Sequence, residues 1–180
     1  MIQLAVDPAT RFIGYSVMDT SITIGHDITK YGLLEIGRSK ANQDITLGEK
    51  ILMAYNFIVG LINQYRPDTL AIEDQFYSIK TPTVKNIIRI SGNVILAAKQ
   101  RNISVVLYEP RVIKMAVTRK GNADKAAVAE AVSKLYKDDG YVSLLTFSDK
   151  KTKNVDKTDD IFDSIAINLT HRFTRNGRQI

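Results

Sequence analysis

The chain has no cysteine and no tryptophan, and only four prolines and two histidines. Without cysteine it can form no disulfide, no thiolate nucleophile and no cysteine-based zinc site, a composition suited to a reducing compartment. With His26 and His171 as the only imidazoles, a metal centre would have to be built largely from oxygen ligands. No apolar run approaches the roughly 20 residues that a membrane-spanning helix needs. No basic segment leads into an apolar stretch after Met1, so no signal peptide is read there. Lipidation motifs, membrane-lytic segments, internal repeats and an interdomain linker are missing too. These absences predict a cytoplasmic protein with no membrane partner.

What the chain does have is an ordinary globular balance, 44% hydrophobic and 24% charged over 180 residues. That predicts one domain spanning 1–180, large enough for a proper core. Lysine and arginine number 25 against 19 acids, a net charge of +6, which favours a polyanionic partner such as nucleic acid.

Ile2 to Met18 organises the rest. Leu4 and Val6 alternate with Gln3 and Ala5, and the run stops at Asp7-Pro8. Proline lacks an N–H and biases the residue before it toward extended backbone, which suits a strand end and a turn start. Phe12 to Met18 reads as the return strand. Tyr31 to Ile36 reads as a third, after a polar connection that holds a β-prone piece, Ile22-Thr23-Ile24. Gly48 to Tyr65 is helical by period, with Ile51, Leu52, Tyr55, Ile58, Val59 and Ile62 as its core stripe. Thr69 to Ile72 is a buried strand that, like the first, ends on an acid, Glu73.

Thr81-Pro82 is a helix start, and that helix runs to about Arg101. Val84, Ile87, Ile88, Ile95 and Ala98 are apolar, and so are Ile90 and Val94, a second apolar face that predicts packing against a second subunit. Ser91-Gly92 either weakens this helix or allows close packing. Ile103 to Tyr108 is a fifth strand. A short helix follows from Arg111 to Val117, then a basic turn. Asn122 is a candidate cap for a helix from Ala123 to about Tyr136. No element is assigned to the charged stretch 138–156. Thr158 reads as the cap of a last helix, Asp159 to Phe173, and the tail from Arg172 reads as frayed.

Asp160 and Asp163 are three apart at the start of that helix and so share a face. Each acid alone has an ordinary explanation: an Asp-Pro turn for Asp7, a favourable helix dipole for the other two. Together with the strand-end acids Asp7 and Glu73, they make a four-carboxylate cluster natural if the last helix packs at those strand ends. Such a cluster repels itself unless a cation neutralises it, and all-oxygen donors suit Mg²⁺, with Mn²⁺ as a substitute. Two such ions about 3.5–4 Å apart can activate water and stabilise the leaving oxygen of a phosphodiester. Setting the four acids aside leaves 25 basic groups against 15 acids. A basic surface around an acidic pocket is what a nuclease requires.

Asp7-Pro8-Ala9-Thr10-Arg11 with Gly14-Tyr15, then Arg66-Pro67-Asp68 leading to Ala71-Ile72-Glu73, resemble the RuvC family of Holliday-junction resolvases. Asp160-x-x-Asp163-Ser164-Ile165-Ala166 with His171 is similar to that family's last helix, so the resemblance spans nearly the whole chain. It implies an α/β, RNase H-like fold with a five-stranded mixed sheet, three antiparallel strands then two parallel, flanked by helices. It implies a homodimer that cuts four-way DNA junctions by paired symmetric nicks with Mg²⁺, leaving a 5′-phosphate and a 3′-hydroxyl. It places the catalytic, metal-holding carboxylates at Asp7, Glu73, Asp160 and Asp163. Phe76 matches an aromatic that engages bases at the junction centre, and Lys114 and Lys125 match basic residues near the scissile phosphate. Arg11, Arg119 and Lys120 are further candidates for phosphate contact.

The sequence departs from the family pattern in three places. Ala9 stands where a glycine is expected, Ile161-Phe162 replace an alanine pair, and the lysine-rich stretch before the last helix is longer. The divergence is similar to that of phage-encoded members, so the expected host is a bacterial or phage-infected cell. Asp159 leaves a register question, because Asp159 and Asp163 would also share a face; Asp160 keeps the family's spacing. Rival readings are an RNase H-like nuclease for other branched DNA or RNA–DNA hybrids, and a non-catalytic junction-binding protein. An actin-like ATPase ranks lower, for want of a second domain and a phosphate loop.

Overall fold

Alternation decides the first strand. In the computed structural model, which describes residues 1–37, 45–74, 81–136, 155–174 and 178–179, β1 (Ile2–Pro8) sends Leu4 and Val6 into one core and Ala5 into another. Gln3 and Asp7 share the Ala5 face by the two-residue period of a strand. β2 (Phe12–Asp19) returns antiparallel with Gly14 opposite Asp7. β3 (Ile28–Glu35) pairs antiparallel with β2, its register shifting between Val17 and Met18. Residues Ile22 to Ile24 form turns instead of a strand of their own.

α1 (Leu47–Tyr65) opens on a reciprocal cap: Thr46 Oγ1 accepts from the Glu49 amide, and the Thr46 amide donates to Glu49 Oε2 at 2.7 Å. It stops where Arg66 turns left-handed, φ 48°. β4 (Thr69–Glu73) then lies parallel to β1. α2 (Pro82–Lys99) starts at the predicted Thr81 cap, and β5 (Ser104–Tyr108) lies parallel to β4. α3 (Pro110–Thr118), α4 (Lys125–Leu135) and α5 (Val155–Thr174) follow. A two-residue β6 (Arg178–Gln179) pairs with β5, within the tail expected to fray. The sheet order is β3-β2-β1-β4-β5-β6. Its first five strands are the predicted three antiparallel and two parallel ones, in an RNase H-like arrangement.

Helices cover both faces. α1 and α2 press Ala54, Ile58, Ile62, Ile90, Val94 and Ala98 onto Leu4, Val6 and Ile72. On the other face α3, α4 and α5 press Ile113, Val128, Val132, Phe162, Ile165 and Leu169 onto Ala5, Ala71 and Val106. Each such Leu, Ile, Val or Phe contributes about 1.5–3 kcal/mol by leaving water.

Several sequence expectations are corrected. Leu52, placed in the core stripe, is 58% exposed, because its helix turns Ala54 and Leu61 inward instead. Ile90 and Val94 belong to this protomer's own core, and it is Ile88 and Leu96 that face outward. Asp124, not Asn122, caps α4, accepting from the Ala127 amide at 2.8 Å. α5 begins at Val155, so Thr158 lies within the helix and does not cap it. Gly92 is not a close-packing point among the described residues, since a side chain there would meet none of them within 4 Å. Most of the charged stretch 138–156 lies outside the described residues. Among the described residues no helix is long and apolar enough to cross a membrane.

A buried polar tie fastens the end of α5. Asp27, fully buried before β3, accepts from the Tyr136 hydroxyl at 2.8 Å and pairs with Arg172. Arg172 also donates to the Ile22 carbonyl at 2.9 Å.

Candidate metal centre

Val6 and Ile72 are partners across the parallel β1–β4 ladder. Each is followed by an acid, so Asp7 and Glu73 leave the same edge of the sheet on adjacent strands. α5 packs on β1 and β2 there because Ile161, Phe162 and Ile165 bury their side chains under the sheet. That seat brings Asp160 and Asp163 to Asp7, and one carboxylate oxygen from each of the three lies within 4.8 Å of the others. Glu73 is outside this tight group but lines the same cavity, of about 290 Å³, and its charge acts on Asp7. Of the two neighbouring acids it is Asp160, not Asp159, that joins this group.

Lys114 on α3 and Lys125 at the start of α4 also line the cavity. Lys125 Nζ stands 3.5 Å from Asp163 Oδ2. Ile87, Ile113 and Val128 supply an apolar wall, which lowers the local dielectric and magnifies every charge interaction inside.

That crowding shifts the acidic and basic groups of the cavity. Burial, then the charges of Glu73, Asp163 and Asp160, push the Asp7 carboxyl well above the ordinary carboxylate range, against a smaller opposing pull from Lys125. Asp160 is raised to about 6, chiefly by burial, with Lys125 opposing and Asp163 and Asp159 adding to the rise. Burial also lifts Asp163, while Lys125 pulls it down. For Lys125, burial works against the charge, yet Asp163, Asp160, Asp159 and Asp7 outweigh it and hold the amine above its usual value. Three carboxylates that resist ionising side by side, with only oxygen donors among them, match what a hard divalent cation neutralises.

The other predicted residues are dispersed. Arg11, in the β1–β2 turn, lies over the Phe12 ring at 5.1 Å and 4.0 Å from Glu35, and is not among the residues that line the acidic cavity. Arg119 and Lys120 form the α3–α4 turn, where Arg119 is left-handed (φ 61°), and line a separate surface hollow of about 630 Å³. Phe76 lies outside the described residues. Sequence reasoning missed two close contacts. The Tyr108 hydroxyl, at the end of β5, lies 2.6 Å from His171 Nδ1 on α5. Gly14 lies directly beneath the Asp160 backbone.

Strand order, crossovers and an acidic triad shared between a strand end and the last helix define an RNase H-like protein with a place for a divalent ion. Residues 3–171 match the sequence profile of the family described as "Crossover junction endodeoxyribonuclease RuvC". The RuvC of Fusobacterium nucleatum is 30% identical over 168 residues, 93% of this chain and 78% of that protein. A Thermus thermophilus RuvC solved in complex with Holliday junction substrate superposes with a TM-score of 0.76 at 20% identity, covering 100% of this chain and 99% of that one. The yeast mitochondrial Holliday junction resolvase Ydc2 shares the fold more distantly, with a TM-score of 0.62 at 11% identity over 93% of this chain and 77% of that one. The chain belongs to the RuvC family of crossover junction endodeoxyribonucleases.

Proposed function

We propose that this protein is a metal-dependent endonuclease that resolves four-way DNA junctions by paired symmetric nicks, acting through one RNase H-like domain, residues 1–180. The observation that carries the reading is the convergence of Asp7, Asp160 and Asp163 within 4.8 Å, in a chain of the RuvC family. The choice of substrate follows the Thermus relative, whose complex holds a Holliday junction.

In this reading Asp7, Glu73, Asp160 and Asp163 are the catalytic carboxylates and hold Mg²⁺, with Mn²⁺ as a substitute and two ions per site. Such a pair of ions supplies water activation and stabilises the leaving oxygen of the phosphodiester. Asp7 and Glu73 stand on strand ends, so their positions vary little as DNA binds. The ammonium groups of Lys114 and Lys125 meet the scissile phosphate at the cavity wall and offset its charge as it nears four acids. Arg11, Arg119 and Lys120 hold backbone phosphates farther out, and Phe76, just past β4, works at the junction centre. The setting is cytoplasmic.

The partner subunit is a second copy of this chain. Ile88, Gly92 and Leu96 form an exposed stripe four residues apart on α2, and α1 adds exposed Leu52, Met53 and Gly60. A side chain at Gly60 or Gly92 would meet nothing within 4 Å among the described residues of the protomer. Apolar knobs beside bare glycines on neighbouring helices suit close helix packing across a two-fold axis.

The test is cleavage of a synthetic four-way junction in Mg²⁺ by wild type, Asp7→Asn and Asp160→Asn. Paired nicks are expected from wild type. Both variants should bind the junction and lose at least about 100-fold in cutting, since even outer-shell partners of a metal are worth 10–100-fold. Undiminished cutting by Asp7→Asn removes the site assignment. Preferential cutting of forks, flaps or RNA–DNA hybrids by wild type removes the resolvase reading, and binding without cutting by all three leaves a junction-recognition protein.

A further inference from the structure

Gly14 of β2 faces Asp7 across the first ladder, and both positions look toward α5. A methyl group on Gly14 would lie 1.9 Å from the backbone oxygen of Asp160, 2.5 Å from its carbonyl carbon and 3.1 Å from its Cβ. The two nearest atoms are backbone, so no rotamer change relieves the clash; helix and strand must move apart. Contacts under 3.0 Å are essentially never seen for a real Cβ, so that movement is at least about 1.1 Å. Gly14 is not among the positive-φ glycines. Its lack of a side chain therefore serves space and not backbone conformation.

Two residues along β2 on the same face, Ser16 holds the helix a second time. Asn168 Nδ2 donates to Ser16 Oγ at 2.8 Å and to the Ser16 carbonyl at 3.0 Å, with both residues fully buried. α5 thus has two fixed points on β2: a bare glycine beneath Asp160, and a hydrogen-bonded serine beneath Asn168.

We propose that Gly14 is a positioning residue for the metal centre. By presenting no side chain it lets α5 settle close enough to β1 for Asp160 and Asp163 to share one ligand shell with Asp7, and the Ser16–Asn168 bonds keep the helix there. The inference rests on the metal-site reading above. Mg²⁺ demands near-octahedral ligands at about 2.0–2.1 Å, so a displacement of an ångström in two of its carboxylates is large on the scale that matters.

The experiment is calorimetric titration of Mn²⁺ into the metal-free full-length protein, with junction affinity in EDTA measured alongside. Wild type, Gly14→Ala, Asn168→Ala, Asp7→Asn and Gly32→Ala are compared. Gly32 is the control: its added methyl would meet the tip of the Tyr15 side chain at 2.9 Å, away from the acids. Gly14→Ala should bind Mn²⁺ at least about tenfold more weakly, the scale of a misaligned ligand shell. It should bind the junction in EDTA as wild type does. Gly32→Ala should lose stability while keeping its Mn²⁺ affinity, which separates positioning from a general packing defect. Mn²⁺ affinity in Gly14→Ala equal to wild type overturns the proposal. If Gly14→Ala does not fold, Asn168→Ala decides: weaker Mn²⁺ binding supports the seat on β2, and unchanged binding overturns it. A wild type that binds Mn²⁺ no better than Asp7→Asn overturns the metal site itself, and this proposal with it.

Discussion

Lys125 Nζ and Asp163 Oδ2 stand 3.5 Å apart, so the first residue of α4 reaches across to the acids of α5. The Lys125 side chain is 62% exposed, and the carboxylate it meets is mostly buried. An ammonium in this place partly neutralises Asp163, Asp160 and Asp7 when no divalent ion is bound. Metal and lysine therefore do overlapping electrostatic work.

It follows that Lys125→Met should destabilise the metal-free protein more than the Mg²⁺-loaded one. Thermal melts in EDTA and in excess Mg²⁺ should show a larger metal-induced rise in Tm for the variant than for wild type, because binding to the folded state adds to stability. An equal loss of Tm in both buffers would assign Lys125 a packing role only.

The raised carboxyl groups make a second prediction, about pH. Asp160 titrates near 6 in the folded protein against 3.8 for the free side chain. Asp7 and Asp163 are shifted in the same direction. Between those values the folded chain holds protons that the unfolded chain has released, so raising the pH favours unfolding. In EDTA the Asp160 contribution lowers stability from about pH 4 through pH 6, and Asp7 and Asp163 act in the same direction. Asp7→Asn removes one titrating member and should flatten the fall, and Mg²⁺ at pH 7–8 should reverse it. Denaturant titrations across pH check this; parallel curves for wild type and Asp7→Asn in EDTA would contradict it.

A third prediction concerns the outer face of α1 and α2. Ile88→Glu and Leu96→Glu introduce charge where the side chains are 39% and 46% exposed, so neither should disturb the protomer's core. Each should convert a dimer into a monomer by light scattering at micromolar concentration. Junctions should then receive single nicks in place of paired ones. A wild type that is already monomeric at that concentration would refute the two-fold arrangement.

How much of this was legible in the sequence depends on the range of the interaction. The five long strands were readable because alternation and strand-end punctuation are local, and so was the pairing of Asp160 with Asp163. Leu52 was misplaced because a helical stripe fixes a period but not the angle at which the helix lies on the sheet. Ile90 and Val94 were assigned to a partner for the same reason: an apolar helix does not say which of its faces meets its own core. Asn122 and Asp124 are both good caps, and only the length of the preceding turn chooses between them. Gly14 could be seen as a motif residue, but its reason could not. The contact with Asp160 joins residues at opposite ends of the chain, and no local pattern records such a contact. The pairing of Asp27 with Arg172 was hidden likewise.

Asp7 and Asp160 are 153 positions apart in the chain, yet their carboxylates meet. At a synthesis rate of about 5–20 residues per second, roughly 8–30 s separate the appearance of the first acid of the triad from that of the second. Throughout that interval Asp7 has neither of the two α5 acids beside it, and the group of three cannot assemble. The acidic group is therefore among the last parts of the fold to be completed, since α5 must reach β1 before Asp7 gains its companions.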